Sequence, residues 1–453
     1  MRPPPPFIPC PIASGAVANG ARPAIWDGEK SWSYADLHEA VTGRTREMKA
    51  LAGQRIALQS WNSVDLVATL FAGWRLGCLV IPISPRIPVE VARSVAEEAG
   101  AKWVSLDSKE KSGHSHVEEG QQVPTLQLSS PSTAILTSGS SGKPALVVHS
   151  IGNHVASARA VQQALTLHAQ DEWCLSLPCF HVGGLAILWR CFLNGASVRI
   201  LSEGQSLEQL LRSAPPTILS VVPTQLLDLV SGGVKCPSRV RDLIVGGAPS
   251  SASLLAAAAS LGYPVRTSYG LTETSSMVCL SGRGNATSHA GTPLPGVEVS
   301  LDGEGHLLVK SDAVCIGYLV GGSFTPNKAT PFKTKDLAAV SKEGHVTILS
   351  RADEVIISGG ENISLNEIQN ALLGIEGVEA CRVVSVAHVR YGQRPIAFVE
   401  AGTFDDQALK RGLAQVLPTI SIPDRILPMP RPEPGALKVT RSQLERLAAT
   451  VAK

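Results

Sequence analysis

The chain has 453 residues, 44% hydrophobic and 17% charged, with a formal net charge of +2. This is the make-up of a globular protein with room for two or more domains, and so even a charge balance argues against nucleic acid or an anionic membrane as a main partner. No run of 18 apolar residues occurs, so no membrane span is expected, and the proline-rich start MRPPPPFIPC lacks the apolar core of a secretory signal. None of the nine cysteines forms a C-x-x-C pair, so zinc and redox motifs are not indicated. Cysteines among apolar neighbours read as small buried hydrophobes and favour a cytoplasmic setting.

From residue 33 to 103, amphipathic stretches such as YADLHEAVTGRTREMKAL alternate with strand-sized apolar runs such as RIALQS, which predicts an α/β fold with a mostly parallel sheet. Residues 106–131 are polar and rich in breakers and read as a surface connection. The alternation resumes through SVRILSE, TILSVVPTQLLDLV, VRDLIVGGAP and LLAAAASLGYPVRTSYG. Past residue 290 short alternating runs with Gly turns predict antiparallel strands. The last hundred residues predict a compact α+β domain, with SLNEIQNALL as helix, PIAFVEAG as strand and DDQALKRGLAQVL as helix. The expected boundaries are 1–350 and 351–453.

The chemistry begins at residues 136–150, LTSGSSGKPALVVHS. Thr137, Ser138, Gly139, Ser140, Ser141, Gly142 and Lys143 offer backbone N–H groups, hydroxyls and a cation to an anion. This is not a Walker A loop: Thr137 stands where that motif has its first Gly, and Lys143 is followed by Pro144 instead of a hydroxyl. Either a different phosphate loop or a polar hairpin turn satisfies the pattern.

Two further segments sit at expected strand ends, where ligands of open α/β sheets bind. LIVGGAPSS carries Gly246, Gly247 and Ala248 into a helix start, and TSYGLTETSS does much the same with Tyr269, Gly270, Thr272 and Glu273. Tyr269 can stack on a base, Thr272 can donate to a phosphate, and Glu273 can ligate Mg2+. The bland alternative is a helix start, with Thr272 as N-cap and Glu273 favouring the dipole. Farther on, Asp336 in FKTKDLA suits a ribose diol and Arg351 could clamp the ribose or a phosphate. Asp353 lies where a hinge would be, followed by Gly359 and Gly360 with the backbone freedom of a mobile loop. Here too Asp336 could end a strand in a turn, and the Gly pair could make only a hairpin.

In order, these segments resemble the adenylate-forming superfamily of acyl-CoA synthetases, adenylation domains and luciferases, over residues 20 to 445. Residues 137–144 match its phosphate loop T-S-G-[ST]-[ST]-G-x-P-K up to the proline, Tyr269–Glu273 match Y-G-x-T-E, and Arg351–Asn362 match its G-R-x-D-x-x-x-x-G-G-E-N segment. Departures are Ala145 for the loop's last lysine, Lys335 and Ser350 for glycines, and Leu437 for another. The resemblance implies a large N-terminal domain of mostly parallel α/β sheets with a small β-barrel-like part, and a smaller mobile α+β C-terminal domain. It implies ATP, Mg2+ and coenzyme A as cofactor and co-substrates, with Glu273 as metal ligand and Lys438 in PGALKVTRSQL as the cation of the first step.

Within the superfamily, LPCFHVGGLAILWR, LSVVPTQL and YGLTETSSMVC look most like the 2-succinylbenzoate:CoA ligases of menaquinone synthesis. The expected reaction is AMP-forming ligation of a small carboxylic acid to CoA. The alternatives are a ligase for another aryl or acyl acid, or a non-catalytic nucleotide-binding member, which Ala145 suggests. Arg190 lies in an apolar helix, where a guanidinium needs an anion: a protein carboxylate, or the diacid's carboxylate that is not adenylated. His181 either borders the acyl pocket and orients substrate or packs as an ordinary histidine. No nucleic acid is expected, and a homo-oligomer is left open.

Overall fold

The computed structural model describes residues 6–106, 122–137, 145–201, 204–284, 289–351, 354–359, 361–402, 404–431 and 439–451. The chain divides into two compact units. The first comprises Met1–Ser300, Val309–Phe332 and Ser341–Val346, and the second Leu301–Leu308, Lys333–Val340 and Thr347–Lys453.

Two sheets organise the first unit. The larger has nine strands, ordered Thr292–Pro293, Ser276–Leu280, Val265–Leu271, Asp242–Val245, Ile218–Val221, Glu172–Leu175, Ser197–Ile200, Pro23–Trp26 and Ser31–Ser33. Its interior is parallel, from Val265–Leu271 through Pro23–Trp26, with antiparallel strands only at the margins. The second sheet has seven strands and includes the parallel pair Arg55–Gln59 and Leu79–Ile83 and the antiparallel hairpin Pro131–Thr137 with Ala145–Ser150.

Helices Val64–Arg75, Ile151–Leu165 and Val182–Leu193 share one core with both sheets: Ile56, Leu58 and Val80 from one, Trp173, Val198 and Ile218 from the other. A helix covered on all sides is apolar nearly all round, as VGGLAILWRCFL is apart from Arg190. Each sheet's other face is also covered. Leu226, Leu255 and Ala258 close the larger, and Ala92 and Ala96 of helix Val89–Glu98 close the smaller. Layers of helix and sheet therefore alternate, as the strand–helix alternation of the sequence predicts. Ser33 and Ser63 cap their helices through Oγ, Ser33 in a reciprocal box with Asp36. All nine cysteines are free and all but Cys236 are buried.

In the second unit, strands Val355–Ser358, Glu361–Ser364, Val378–His388, Gly392–Ala401 and Arg425–Pro428 form one sheet. Along Val378–His388 the side chains alternate: Cys381 and Val383 meet helices Leu365–Leu373 and Asp406–Leu413, while Val384 and Val386 meet helix Arg441–Val451. This is the α+β pattern expected of the chain's last hundred residues.

Candidate active site

Several segments leave the larger sheet at the carboxyl ends of adjacent strands: 176–181, 222 onward, Gly246–Ala248 and Thr272–Thr274. Ligands of open α/β sheets collect along such an edge. Gly246 donates its N–H to Val221 O at 3.1 Å, and a Cβ there would lie 2.4 Å from Ser268 Oγ. Gly247 has φ +81°, a left-handed conformation that glycine adopts without strain. Gly247 and Ala248 are exposed, so their backbone is open to a ligand.

Tyr269 and Gly270 lie within strand Val265–Leu271, with a register shift between them. The chain then makes a single 3-10 turn, Thr272–Thr274, and returns as the antiparallel strand Ser276–Leu280. This corrects two sequence expectations: TSYGLTETSS does not open a helix, and Thr272 is the first residue of the turn, with Leu271 in the cap position. The physical reason lies in Ser275 and Ser276, whose φ values of +52° and +107° reverse the chain before a second turn can form. Side chains and backbone hold that conformation. Ser157 Oγ donates to Ser275 O at 2.8 Å, Ser275 Oγ to Ala313 O at 2.9 Å, and Cys315 N to Glu273 O at 2.7 Å. A Cβ on Gly270 would lie 1.9 Å from Ser276 O, a backbone atom that cannot step aside. Gly270→Ala is therefore expected to cost about 2–4 kcal/mol of stability, read as a lowered denaturant midpoint; an unchanged midpoint would show that the bulge absorbs the methyl.

The Glu273 carboxylate is half-buried and near Cys315 and Tyr318. Burial, reinforced by that negative charge, pushes the Cys315 thiol up to about 12, and Tyr318 is raised too, by burial, Cys315 and Glu273. No Lys or Arg pairs with Glu273 among the described residues. A half-buried carboxylate whose neighbours Cys315 and Tyr318 are neutral suits a hard divalent cation.

Arg190 is 1% exposed in helix Val182–Leu193. Its Nη2 donates to Ser276 Oγ at 3.1 Å, its guanidinium carbon lies 5.3 Å from the Trp173 ring centroid, and its Nε has no hydrogen-bond partner. Burial pushes its pKa down to about 10, so it keeps its charge at neutral pH. The alternative of a protein carboxylate as partner is not met among the described residues. His181 occupies the N-cap position of the same helix, is exposed, and has its ring centroid 4.9 Å from that of Phe180. It is therefore not a buried core histidine, and its backbone N–H donates to Pro178 O at 3.1 Å.

Thr137 ends its strand with Oγ1 donating to Ala145 O at 3.1 Å, opposite Ala145 in the hairpin. Ser138, Gly139, Ser140, Ser141, Gly142, Lys143, Asp353, Gly360 and Lys438 lie outside the described residues. In the second unit, Asp336 is buried inside strand Phe332–Val340, which removes the alternative of a strand-ending turn, and its N–H donates to Thr334 Oγ1 at 3.1 Å. Arg351 ends strand Val346–Arg351 and is half-buried. Gly359, φ +59°, opens the hairpin between Val355–Ser358 and Glu361–Ser364 and donates its N–H to Tyr391 O at 2.9 Å. The hairpin alternative for this glycine is what the backbone shows.

Sequence reasoning passed over His149 and His154. His149 Nε2 lies 2.7 Å from Thr272 O, which makes it the donor, and its Nδ1 is buried without a partner. His154 Nε2 lies 3.1 Å from Thr133 Oγ1, its ring stacked on Trp189 at 5.6 Å. Burial pushes His149 down to about 4, partly offset by the Thr272 bond, and holds His154 well below its usual value, with His149 adding to the effect. Between the unfolded value near 6.5 and about 4, the unfolded chain binds protons that the fold refuses, so stability falls as pH falls. From pH 7 to pH 5, His149 alone is expected to remove ~2 kcal/mol, seen as a lower urea midpoint; a midpoint independent of pH would contradict the neutral buried pair.

Comparison with known proteins identifies the family. The family model described as AMP-binding enzyme matches residues 13–319, and that of the AMP-binding enzyme C-terminal domain matches 367–442. The chain is 30% identical over 468 residues to the 2-succinylbenzoate--CoA ligase of Bacillus cytotoxicus, covering 94% of this chain and 96% of that one. It also resembles the o-succinylbenzoate CoA synthetase MenE of Bacillus subtilis. In complex with the acyl-adenylate intermediate OSB-AMP, that structure matches with TM-score 0.86 and 25% identity, covering 97% of this chain and 98% of that one. With ATP and magnesium ion bound, it matches with TM-score 0.85 and 25% identity, covering 97% and 99%.

Proposed function

The chain belongs to the AMP-binding enzyme family, and from that premise we propose that it ligates 2-succinylbenzoate to coenzyme A with ATP, by way of an acyl-adenylate, in menaquinone synthesis. The observation that carries the choice of acid is Arg190, a buried guanidinium without a carboxylate among the described residues. A diacid brings a second carboxylate that a monocarboxylic acid lacks, and a desolvated charge pair is worth several kcal/mol when the alternative is a lone buried charge.

In the first half-reaction one carboxylate of the acid attacks the α phosphorus of ATP, giving acyl-AMP and pyrophosphate. Thr272 donates to phosphate, Tyr269 stacks on adenine beside Gly246–Ala248, and Gly270 keeps that strand narrow. Thr137 opens the phosphate loop, while Asp336 and Arg351 take the ribose. Glu273 would hold Mg2+, which supplies charge neutralisation on the phosphates. Lys438 stabilises the negative charge that accumulates on the transferring phosphate. In the second half-reaction the CoA thiol attacks the acyl carbon and AMP leaves. His181 borders the acyl group from the helix terminus, and the loop at Gly359 and Gly360 approaches the thiol's path. We place the functional boundary at 350/351 with Asp353 as hinge, and the setting in the cytoplasm. Among the described residues no helix is long and apolar enough to cross a membrane.

Asp336 is expected to matter for affinity more than for turnover. Asp336→Asn weakens acceptance of two hydroxyls and should raise the KM for ATP about tenfold with kcat within about threefold; equal loss in both would deny it the ribose. The deciding experiment is pyrophosphate release with ATP and Mg2+, comparing 2-succinylbenzoate with benzoate, a medium-chain fatty acid and acetate, each with and without CoA. Release with 2-succinylbenzoate, completed to thioester by CoA, supports the reading. Release with another acid alone replaces the substrate, and silence with every acid despite ATP binding favours the non-catalytic reading that Ala145 suggests.

A further inference from the structure

The Thr272–Ser276 turn is anchored at its far end by several groups, including Arg190 on Ser276 Oγ and Ser157 on the Ser275 carbonyl. At its near end, the Thr272 carbonyl accepts from Ser275 N at 3.2 Å and from His149 Nε2 at 2.7 Å. His149 is 0% exposed and sits 123 residues away in sequence, on the strand Ala145–Ser150 that follows residues 138–144. One imidazole therefore ties the strand behind one proposed phosphate segment to the backbone of the other. A donor on that carbonyl fixes the peptide plane from which Thr272 and Glu273 project. The ring itself is remote from solvent, so it has no direct route to a substrate.

We propose that His149 is a positioning residue for the magnesium-bound triphosphate: its Nε2–H holds the Thr272 carbonyl so that Thr272 and Glu273 face phosphate and cation together. The proposal rests on the reading of Thr272 and Glu273 given above. It differs from a packing role in one respect. Packing needs only the volume of the ring, whereas positioning needs the donor. Glutamine places an amide N–H near the imidazole Nε2 position, and methionine fills similar space with no donor.

The test is calorimetric binding of ATP with Mg2+, and of adenosine alone, to the full chain and to His149→Gln and His149→Met, with melting temperatures recorded. Expected are magnesium-ATP affinity within about threefold of the parent for glutamine, a loss of about ten- to thirtyfold for methionine, and adenosine affinity unchanged in both. Equal losses for ATP and adenosine, unchanged magnesium-ATP affinity in the methionine variant, or a folded glutamine variant that loses it would each overturn the proposal. So would a methionine variant that fails to fold beside a normal glutamine variant, which would assign His149 to stability alone. Binding is read without turnover, so these outcomes stay distinct from failure of the ligase reading, which shows as absent pyrophosphate release in the parent protein.

Discussion

Arg190→Leu is expected to lower kcat/KM for 2-succinylbenzoate by about two to three orders of magnitude while the denaturant midpoint holds or rises. What surrounds the guanidinium decides this outcome. It is enclosed in a helix whose neighbours Leu188, Trp189, Cys191 and Phe192 are all buried, and its Nε lacks a partner. Ser276 Oγ and the face of Trp173 give it one hydrogen bond and a cation–π contact. Neither carries a full negative charge, so the unliganded protein bears a desolvation cost that a bound carboxylate would offset. Leucine removes that cost together with the binding site. Exchange of buried ionic groups for apolar ones is often neutral or stabilising, so the loss should fall on function. A loss of about 3–4 kcal/mol matches a buried charge pair and gives the stated factor. Benzoate, which has no second carboxylate, serves as control and should change less than about fivefold. Parallel losses for both acids would reduce Arg190 to a support of the Ser276 turn.

The parts of this chain legible beforehand are those whose information is local. Strand and helix alternation follows from apolar spacing, and Gly246 and Gly247 read as a strand end because the apolar run LIV stops at them. Pro144 disfavours a helix starting at that position, and the strands on either side, Pro131–Thr137 and Ala145–Ser150, do pair antiparallel. The Thr272 turn was misread because T-E-T-S-S carries every mark of a helix start. What reverses the chain is a pair of serines at positive φ, stabilised by Ser157 and Ala313 from elsewhere in the sequence. No local rule assigns that conformation to Ser. Arg190 was conspicuous as a charge in an apolar helix; whether a carboxylate met it depended on the tertiary structure. His149 left no signal, since a histidine in the run ALVVHS looks like a core residue and its partner is a backbone carbonyl far along the chain.

Glu273→Gln should reduce pyrophosphate release by about two to three orders of magnitude at about millimolar Mg2+, with the dependence shifted to higher metal concentration. Glutamine preserves the shape of the side chain and one acceptor oxygen, and it leaves the turn intact, because the turn is held through the Glu273 carbonyl by Cys315 N. What it removes is the charge. In a half-buried place among neutral groups, a carboxylate contributes several kcal/mol to holding a hard divalent cation, while an amide oxygen contributes much less. Thioester formation from preformed acyl-adenylate and CoA involves no pyrophosphate and should fall less than about tenfold, which separates loss of the metal from collapse of the site. The substitution carries its own reporter: part of the upward push on Tyr318 comes from the Glu273 charge, so the Tyr318 phenol should ionise at lower pH in the glutamine variant. Tyrosinate absorbance during alkaline titration reads that shift without any substrate. Pyrophosphate release within threefold of the parent and an unaltered Mg2+ dependence would leave Glu273 as a carboxylate that merely favours the start of a 3-10 turn, and the cation would then have to be held by other oxygens.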